Sequence, residues 1–234
     1  MSLDWALLSD TGRVRARNED CARATPELGL FAIADGLGGH AGGDVASRVA
    51  VETALEFLRA SGEIDTEALD RSQHEAHAAI FREAERSELW GMGTTLTVVH
   101  LQGRRGRLSH VGDTRAGLLH DGELTPLTRD ETAVARLVDE GSLSPDQARD
   151  HPGMHVLTQA LGTQTALEPQ TREFEIPGGA RLLLSSDGLH DLLPPDELRA
   201  LAGIQGLEDA ARALVERANQ RGGTDNISVI LVDP

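Results

Sequence analysis

Residues 94–122 read TTLTVVHLQGRRGRLSHVGDTRAGLLHDG, and the pattern in this stretch decides the fold. Thr94 to Leu101, Arg107 to Val111 and Ala116 to His120 are three runs rich in β-branched and aliphatic residues, each of strand length. Gly103-Arg104-Arg105-Gly106 joins the first two runs, and Asp121-Gly122 follows the third. Asp-Gly between strand-like runs accepts positive φ and predicts a hairpin. Outward from this centre, Trp5 to Ser9, Leu28 to Ala34, Arg181 to Ser185 and Ile227 to Val232 are further apolar runs read as strands. Asp44 to Leu58 and Glu67 to Ala84 repeat apolar residues at helical spacing, as do segments near 195–202 and 207–220, and helical segments are expected over roughly 132–160. Helices come in pairs and strands in consecutive hairpins, without βαβ alternation. That order favours an α+β fold, an antiparallel β-sandwich covered by helices, over a doubly wound parallel sheet.

The chain has 234 residues, with 22 Lys and Arg against 38 Asp and Glu, for a formal net charge of −16. Such a balance repels nucleic acid and anionic membranes, which bind through excess basic residues. Cys21 is the single cysteine, so an internal disulfide and a multi-cysteine zinc site are excluded. No apolar run approaches the roughly 20 residues that span a bilayer. Met1-Ser2-Leu3-Asp4-Trp5 lacks the basic and apolar regions of a signal peptide. With no repeat and no Pro- or Ser-rich linker, the expectation is one complete cytoplasmic domain over residues 1–234.

Three aspartates stand where apolar strands end or begin, each beside Gly or Asn: Asp35 in Ala34-Asp35-Gly36, Asp187 in Ser186-Asp187-Gly188, and Asp225 in Gly223-Thr224-Asp225-Asn226. Any one of them alone is more often a turn residue. Three at the ends of core strands can converge on one pocket, where clustered carboxylates would take up protons unless a cation neutralised them. An oxygen-only donor set suits Mg2+ or Mn2+ better than zinc. Two such ions can activate a water and stabilise the leaving oxygen of phosphoryl transfer. Arg15, in Arg13-Val14-Arg15-Ala16-Arg17-Asn18-Glu19-Asp20, is available to grip a phosphate bidentately.

Seven short motifs then fall in a recognisable order. They are Gly12-x-x-Arg15-x-x-Asn18-Glu19-Asp20, Ala34-Asp35-Gly36-Leu37-Gly38-Gly39-His40, Gly93-Thr94-Thr95, Val111-Gly112-Asp113-Thr114-Arg115, Ala160-Leu161-Gly162, Ser186-Asp187-Gly188-Leu189 and Gly223-Thr224-Asp225-Asn226. In this order, from about residue 9 to 232, the chain resembles the PP2C-type (PPM) metal-dependent serine/threonine protein phosphatases of the small bacterial single-domain kind. The resemblance implies a four-layer α-β-β-α sandwich and hydrolysis of phosphoserine and phosphothreonine in proteins by a water that two Mg2+ or Mn2+ ions activate. It implies that Asp35 bridges the two ions, that the Gly36 carbonyl ligates one, and that Asp187 and Asp225 ligate the second. Glu19 and Asp20 would orient waters, Arg15 would hold the phosphate, and His40 would be the general acid.

Asp130, in Leu127-Thr128-Arg129-Asp130, matches an aspartate that supports a third ion beside a flap, which here would run over about 131–160. Three positions depart from the family pattern: Leu37 for Met, Thr114 for Ser, and Glu131 for His. None is a core metal ligand. His74 and His77 lie three apart on a polar helix and read as a solvated face. His151, His155 and His190 are given no role, Asn226 reads as a turn brace, and the sequence indicates no base partner for Ser185 or Ser186. The implied partners are phosphorylated proteins of a cognate serine/threonine kinase, with no nucleic acid and no membrane, and a monomer is expected. The weighed alternatives are a phosphoprotein-binding module on the same fold and an acidic scaffold whose cations serve stability.

Overall fold

A computed structural model describes residues 3–37, 42–148, 151–163 and 166–234, without the side chains of 145 and 146. Among the described residues, ten strands form two five-stranded sheets. One sheet has the order β1 (Asp4–Asp10), β10 (Ile227–Asp233), β9 (Arg181–Ser185), β6 (Arg115–His120), β7 (Glu123–Pro126). The other has the order β2 (Asp20–Thr25), β3 (Leu30–Asp35), β4 (Leu96–Gln102), β5 (Arg105–Val111), β8 (Gln170–Glu175). Every pairing is antiparallel. The long helices α1 (Gly43–Ala60) and α2 (Thr66–Ser87) cover the β2–β8 sheet, while α5 (Asp187–His190), α6 (Pro195–Ala202) and α7 (Leu207–Gln220) cover the other.

Period-two alternation explains the layers. In β3, Leu30, Ala32 and Ala34 point towards α1 and α2, while Phe31 and Ile33 point into the core between the sheets. In β10, Ile227, Val229 and Leu231 face α7, while Ile230 and Val232 enter the same central core. Both faces of these strands are buried, so their sequences read as unbroken apolar runs. The result is the expected α-β-β-α sandwich. The Asp121-Gly122 hairpin is also present: His120 pairs with Glu123 across a two-residue turn in which Asp121 has φ 50° and Gly122 φ 78°.

β2, β7 and β8 carry no strand-length apolar run in the sequence, and all three are edge strands. An edge strand needs no continuous apolar face: β7 buries none of its residues, and β8 buries Phe174 alone. The expected helical stretch over 132–160 is mostly not helix. Among the described residues it holds only α3 (Ala133–Asp139) and the single turn α4 (Pro145–Ala148). Thr132 caps α3, its Oγ1 accepting from the Ala135 N–H at 3.1 Å. No described helix is long and apolar enough to cross a membrane.

Candidate metal centre

The strand ends meet at one edge of the sandwich. Asp35 is the last residue of β3 and pairs in register with Asp20, the first residue of β2. The Asp35 backbone is locked from both sides. Its N–H donates to Thr95 Oγ1 at 2.8 Å, and its carbonyl accepts from the Thr94 hydroxyl at 2.7 Å and the Thr95 N–H at 2.9 Å. Asp187 opens α5 directly after β9, and Asp225 precedes β10. These two turns pack backbone against backbone, since a Cβ on Gly188 would lie 2.1 Å from the Asn226 carbonyl oxygen. Only glycine permits that approach, which is the physical reason Asp187 is followed by Gly.

Asn226 ties the remaining loop to this floor. Its Nδ2 donates to the carbonyls of Thr11 and Arg17 at 2.9 and 2.8 Å, and its Oδ1 accepts from the Glu19 N–H at 2.8 Å. Arg15 is thereby carried to the rim, where its Nη2 donates to Asp225 Oδ2 at 2.7 Å. Ser186 links the two sheets: its hydroxyl donates to Asp20 Oδ2 at 2.8 Å while its oxygen accepts from the Ser228 N–H at 2.9 Å.

The outcome is a cleft of about 670 Å³ lined by Arg15, Glu19, Asp35, Asp113, Asp187 and Asp225, among others. Its electrostatics are those of carboxylates crowded away from water. Burial first, then the neighbouring aspartates, pushes Asp20 up to about 7 and Asp113 up to about 8. Asp191 rises to about 6 for the same reasons. Asp35 is held well above the usual carboxylate range, by burial and then by Asp20, Asp187 and Asp113. Burial and then Asp225 raise Asp187, and burial and then Asp44 raise Glu19. Asp20 Oδ1 and Asp187 Oδ1 are buried with no hydrogen-bond partner among the described residues. Bare buried oxygens on clustered carboxylates fit hard divalent cations, which supply the missing charge and the missing partners together.

The cleft therefore gathers Arg15, Glu19, Asp35, Gly36, Asp187 and Asp225, with Asp20 at its base. It does not gather Asp130. That carboxylate takes a two-pronged bond from Arg115, Nε to Oδ1 at 2.9 Å and Nη2 to Oδ2 at 2.6 Å, and lines a separate hollow with Leu183, His190 and Leu198. His40 lies outside the described residues. Contrary to the sequence expectation, Ser185 has a histidine partner, the buried His190, whose Nδ1 lies 2.9 Å from Ser185 Oγ, and His77 Nδ1 accepts from the Gly162 N–H at 3.2 Å. The cleft adds Asp113, Asp191 and His155, to which the sequence pattern assigns no role. Asp113 carried the same signal as the other three, an acid beside glycine just past an apolar strand. Asp191 stands four residues after Asp187 on one short helical turn, its N–H bonded to the Asp187 carbonyl at 2.9 Å. His155 had no local signal.

A family profile described as Protein phosphatase 2C matches residues 14–231. The chain belongs to the protein phosphatase 2C family. It is 40% identical over 235 residues to the serine/threonine protein phosphatase PstP of Mycobacterium tuberculosis, covering 99% of this chain and 45% of that protein. The chain thus spans less than half the length of that curated relative. It is 32% identical over 242 residues to protein phosphatase PhpP of Streptococcus pneumoniae, covering 98% and 97% of the two chains. Its fold superposes on the crystal structure of the PstP catalytic domain in complex with two manganese ions with a TM-score of 0.89, at 38% identity, over 99% of this chain and 97% of that one. In this protein phosphatase 2C member the carboxylate floor is built wholly from strand ends and the turns beside them.

Proposed function

We propose that this chain hydrolyses phosphoserine and phosphothreonine in phosphorylated proteins, with two Mg2+ or Mn2+ ions held by Asp35, the Gly36 carbonyl, Asp187 and Asp225. The observation that carries the reading is the convergence of these carboxylates, two of whose neighbouring buried oxygens lack partners, beside a single rim guanidinium. The manganese pair in the mycobacterial catalytic domain supports the same ion count here. Bound there, the ions would supply a water acidic enough to attack phosphorus near neutral pH, and positive charge against the leaving oxygen.

The protein's own groups do the rest. Arg15 rests on Asp225 at 2.7 Å, and that contact is the first cause of its raised pKa. Once a cation takes up the charge of Asp225, the guanidinium fork is free to turn to a phosphate dianion, which it fits with two parallel bonds. Asp20 is fixed by Ser186, and Glu19 by the Asn226 hold on its N–H, so both are set to orient water at the floor. His40 is assigned the protonation of the departing alkoxide. Asp113 faces the cleft with Asp187 and Asp191 and is our first candidate for a third ion, while Asp130, paired with Arg115, lies close enough to help raise both Asp113 and Asp191. The proposed substrates are those of a cognate serine/threonine kinase, met in the cytoplasm by a monomeric enzyme.

The test is turnover of a phosphothreonine peptide and of p-nitrophenyl phosphate with and without Mn2+. Both activities should require the ion and vanish with EDTA. Full turnover in rigorously metal-free protein, or none at saturating Mn2+ and Mg2+, would sink the reading.

A further inference from the structure

The segment carrying Met154, His155 and Leu157 crosses the cleft, and the loop from Thr11 to Glu19 bounds it elsewhere through Arg15 and Glu19. That loop holds Arg13, Arg15 and Arg17 within five residues, in a chain where acidic residues outnumber basic ones by 38 to 22. Every residue from Arg13 to Arg17 is exposed. Both ends of the run are nevertheless fixed. The Gly12 N–H donates to Asp10 Oδ1 at 2.8 Å, the Arg13 N–H donates to the Gly223 carbonyl at 2.7 Å, and the Arg17 carbonyl accepts from Asn226 Nδ2 at 2.8 Å. Gly12 has φ 79°, and a Cβ there would lie 2.1 Å from the Asp225 carbonyl oxygen, so only glycine lets the loop sit this close.

The three guanidinium groups differ in what holds them. Arg15 rests on Asp225 and lines the cleft. Among the described residues, the side chains of Arg13 and Arg17 make no hydrogen bond and no ion pair. Their places are set all the same. The stem of Arg13 packs over Gly223, where a Cβ would lie 2.9 Å from Arg13 Cγ, and the next two residues, Thr224 and Asp225, line the cleft. Burial and then Asp44 raise the Glu19 carboxyl while Arg15 and Arg17 oppose them, which puts the charge of Arg17 near a cleft residue. Two unpaired cations thus flank the one that is set to hold the phosphate.

Arg13 and Arg17 each stand two residues from Arg15, at most about 7 Å along the chain, and an extended peptide covers that distance in about two residues. We propose that Arg13 and Arg17 are specificity-determining residues that bind a second anionic group of the substrate, a phosphoryl group or a carboxylate about two or three residues from the phosphorylated one. A planar guanidinium fits either group with two parallel bonds. The loop is fixed before substrate arrives, so little ordering cost is added on binding. The rest of a chain of net charge −16 repels such segments, which leaves this rim to admit them. The substrates are then phosphoproteins whose sites have acidic or multiply phosphorylated flanks. The inference rests on the hydrolase reading, while the flanking preference belongs to it alone.

Steady-state kinetics with Mn2+ tests it on phosphothreonine peptides whose flanks carry neutral residues, glutamates or a second phosphothreonine. Turnover of p-nitrophenyl phosphate, which has no flanks, is the reference. In the parent, either anionic flank should lower KM and leave kcat little changed. Arg13→Gln and Arg17→Gln should each raise KM for those peptides ~2–5-fold, the scale of an exposed ion pair, and together should abolish the preference. The neutral peptide and the reference should respond to neither change. Both side chains are exposed and unpartnered among the described residues, so neither variant threatens folding. The preference should also fade as salt screens it. The control is Arg104→Gln with Arg105→Gln, which removes the same charge from the exposed turn between β4 and β5 and should keep the preference. A gain confined to one kind of flank supports the proposal and names the source of the anion. Equal KM for all peptides in the parent, a preference that survives the double variant, or one lost equally in the control overturns it and leaves the hydrolase reading standing. A parent that turns over neither peptides nor p-nitrophenyl phosphate overturns both.

Discussion

Asp35, Asp187 and Asp225 stand where hydrogen-bonded strands end, whereas Glu131 and His155 belong to a segment held by scattered side-chain and turn contacts. The difference shows in the burial of the two regions. α1, behind the floor, buries eight residues, and α3, in the crossing segment, buries Val134 alone. Glu131 substitutes for a packed core there. One of its carboxylate oxygens accepts from the Gly112 N–H at 3.0 Å, and the other accepts from Gln159 Nε2 at 3.1 Å and Gln170 Nε2 at 2.9 Å. The comparison assigns each region a task. A floor fixed by two sheets can hold unfavourable charge in place, because its backbone has nowhere to relax. A cover with few buried contacts opens at low free energy and can admit a bulky substrate.

The largest expected effect breaks the floor. Asp187→Asn removes one charge from the crowd and one ligand from the proposed ion pair. Turnover of p-nitrophenyl phosphate should drop by ~10²–10³-fold, the scale for losing a preorganised electrostatic group. Stability should move the other way. In EDTA the variant should melt at or above the parent, since repulsion among Asp20, Asp35, Asp187 and Asp225 is relieved. Mn2+ should raise the melting temperature of the parent and do less for the variant, because only the folded floor binds the ion. A variant that is less stable without metal, yet equally stabilised by it, would mean that Asp187 is structural.

The second effect sharpens the contrast through pH. A carboxyl whose pKa is raised by folding holds its proton more tightly in the folded state. The stability it contributes is complete below its unfolded value near ~4 and is lost as pH rises through its folded value. Asp191, Asp20 and Asp113, at about 6, 7 and 8, place that loss in a window from roughly pH 5 to 8. The metal-free protein should therefore melt progressively lower across this window. Saturating Mn2+ should flatten or reverse the slope, since ions bind the deprotonated ligands. Scanning calorimetry at half-unit steps with EDTA or Mn2+ checks it. Parallel curves under the two conditions would remove the cation from the floor's electrostatics.

The same contrast decides what was legible in the sequence. The central strands announced themselves because β3, β4, β9 and β10 are buried on both faces, and Asp35, Asp187 and Asp225 were legible as punctuation at their ends. Arg15, Glu19 and Asp20 were placed by motif, and Asn226 supplies the reason: its side chain stitches the Thr11–Glu19 loop to the floor. Asp113 carries the same punctuation, an acid after Gly112 just past the apolar end of β5. His155 carried none, because its position depends on turns and on bonds to residues more than twenty positions away, such as Ala133. The helical reading of 132–160 failed for a related cause. A segment lying across a polar cleft has no apolar face to bury, so its residues lack the packing that sustains a long helix.

The smallest expected effect concerns Asp130, which sits at the border between floor and cover. The family resemblance had given it a third ion, and the geometry gives it Arg115. Its carboxylate oxygens are 2.9 and 2.6 Å from Nε and Nη2 of that guanidinium, and the pair borders a hollow distinct from the carboxylate cleft. Asp130→Asn keeps an acceptor for one prong and loses the charge and the second prong. The pair is partly exposed, so the loss should cost at most about 1 kcal/mol of stability. Its Mn2+ activation curve should superimpose on that of the parent. Asp113→Asn should behave differently, because Asp113 faces the cleft beside Asp187 and Asp191: it should need more Mn2+ for half-maximal rate while keeping the two tighter ions. Measuring rate and calorimetric ion binding for both variants separates the two sites. An upward shift for Asp130→Asn with none for Asp113→Asn would return the third ion to Asp130. It would also require the Arg115 fork to open when the metal binds.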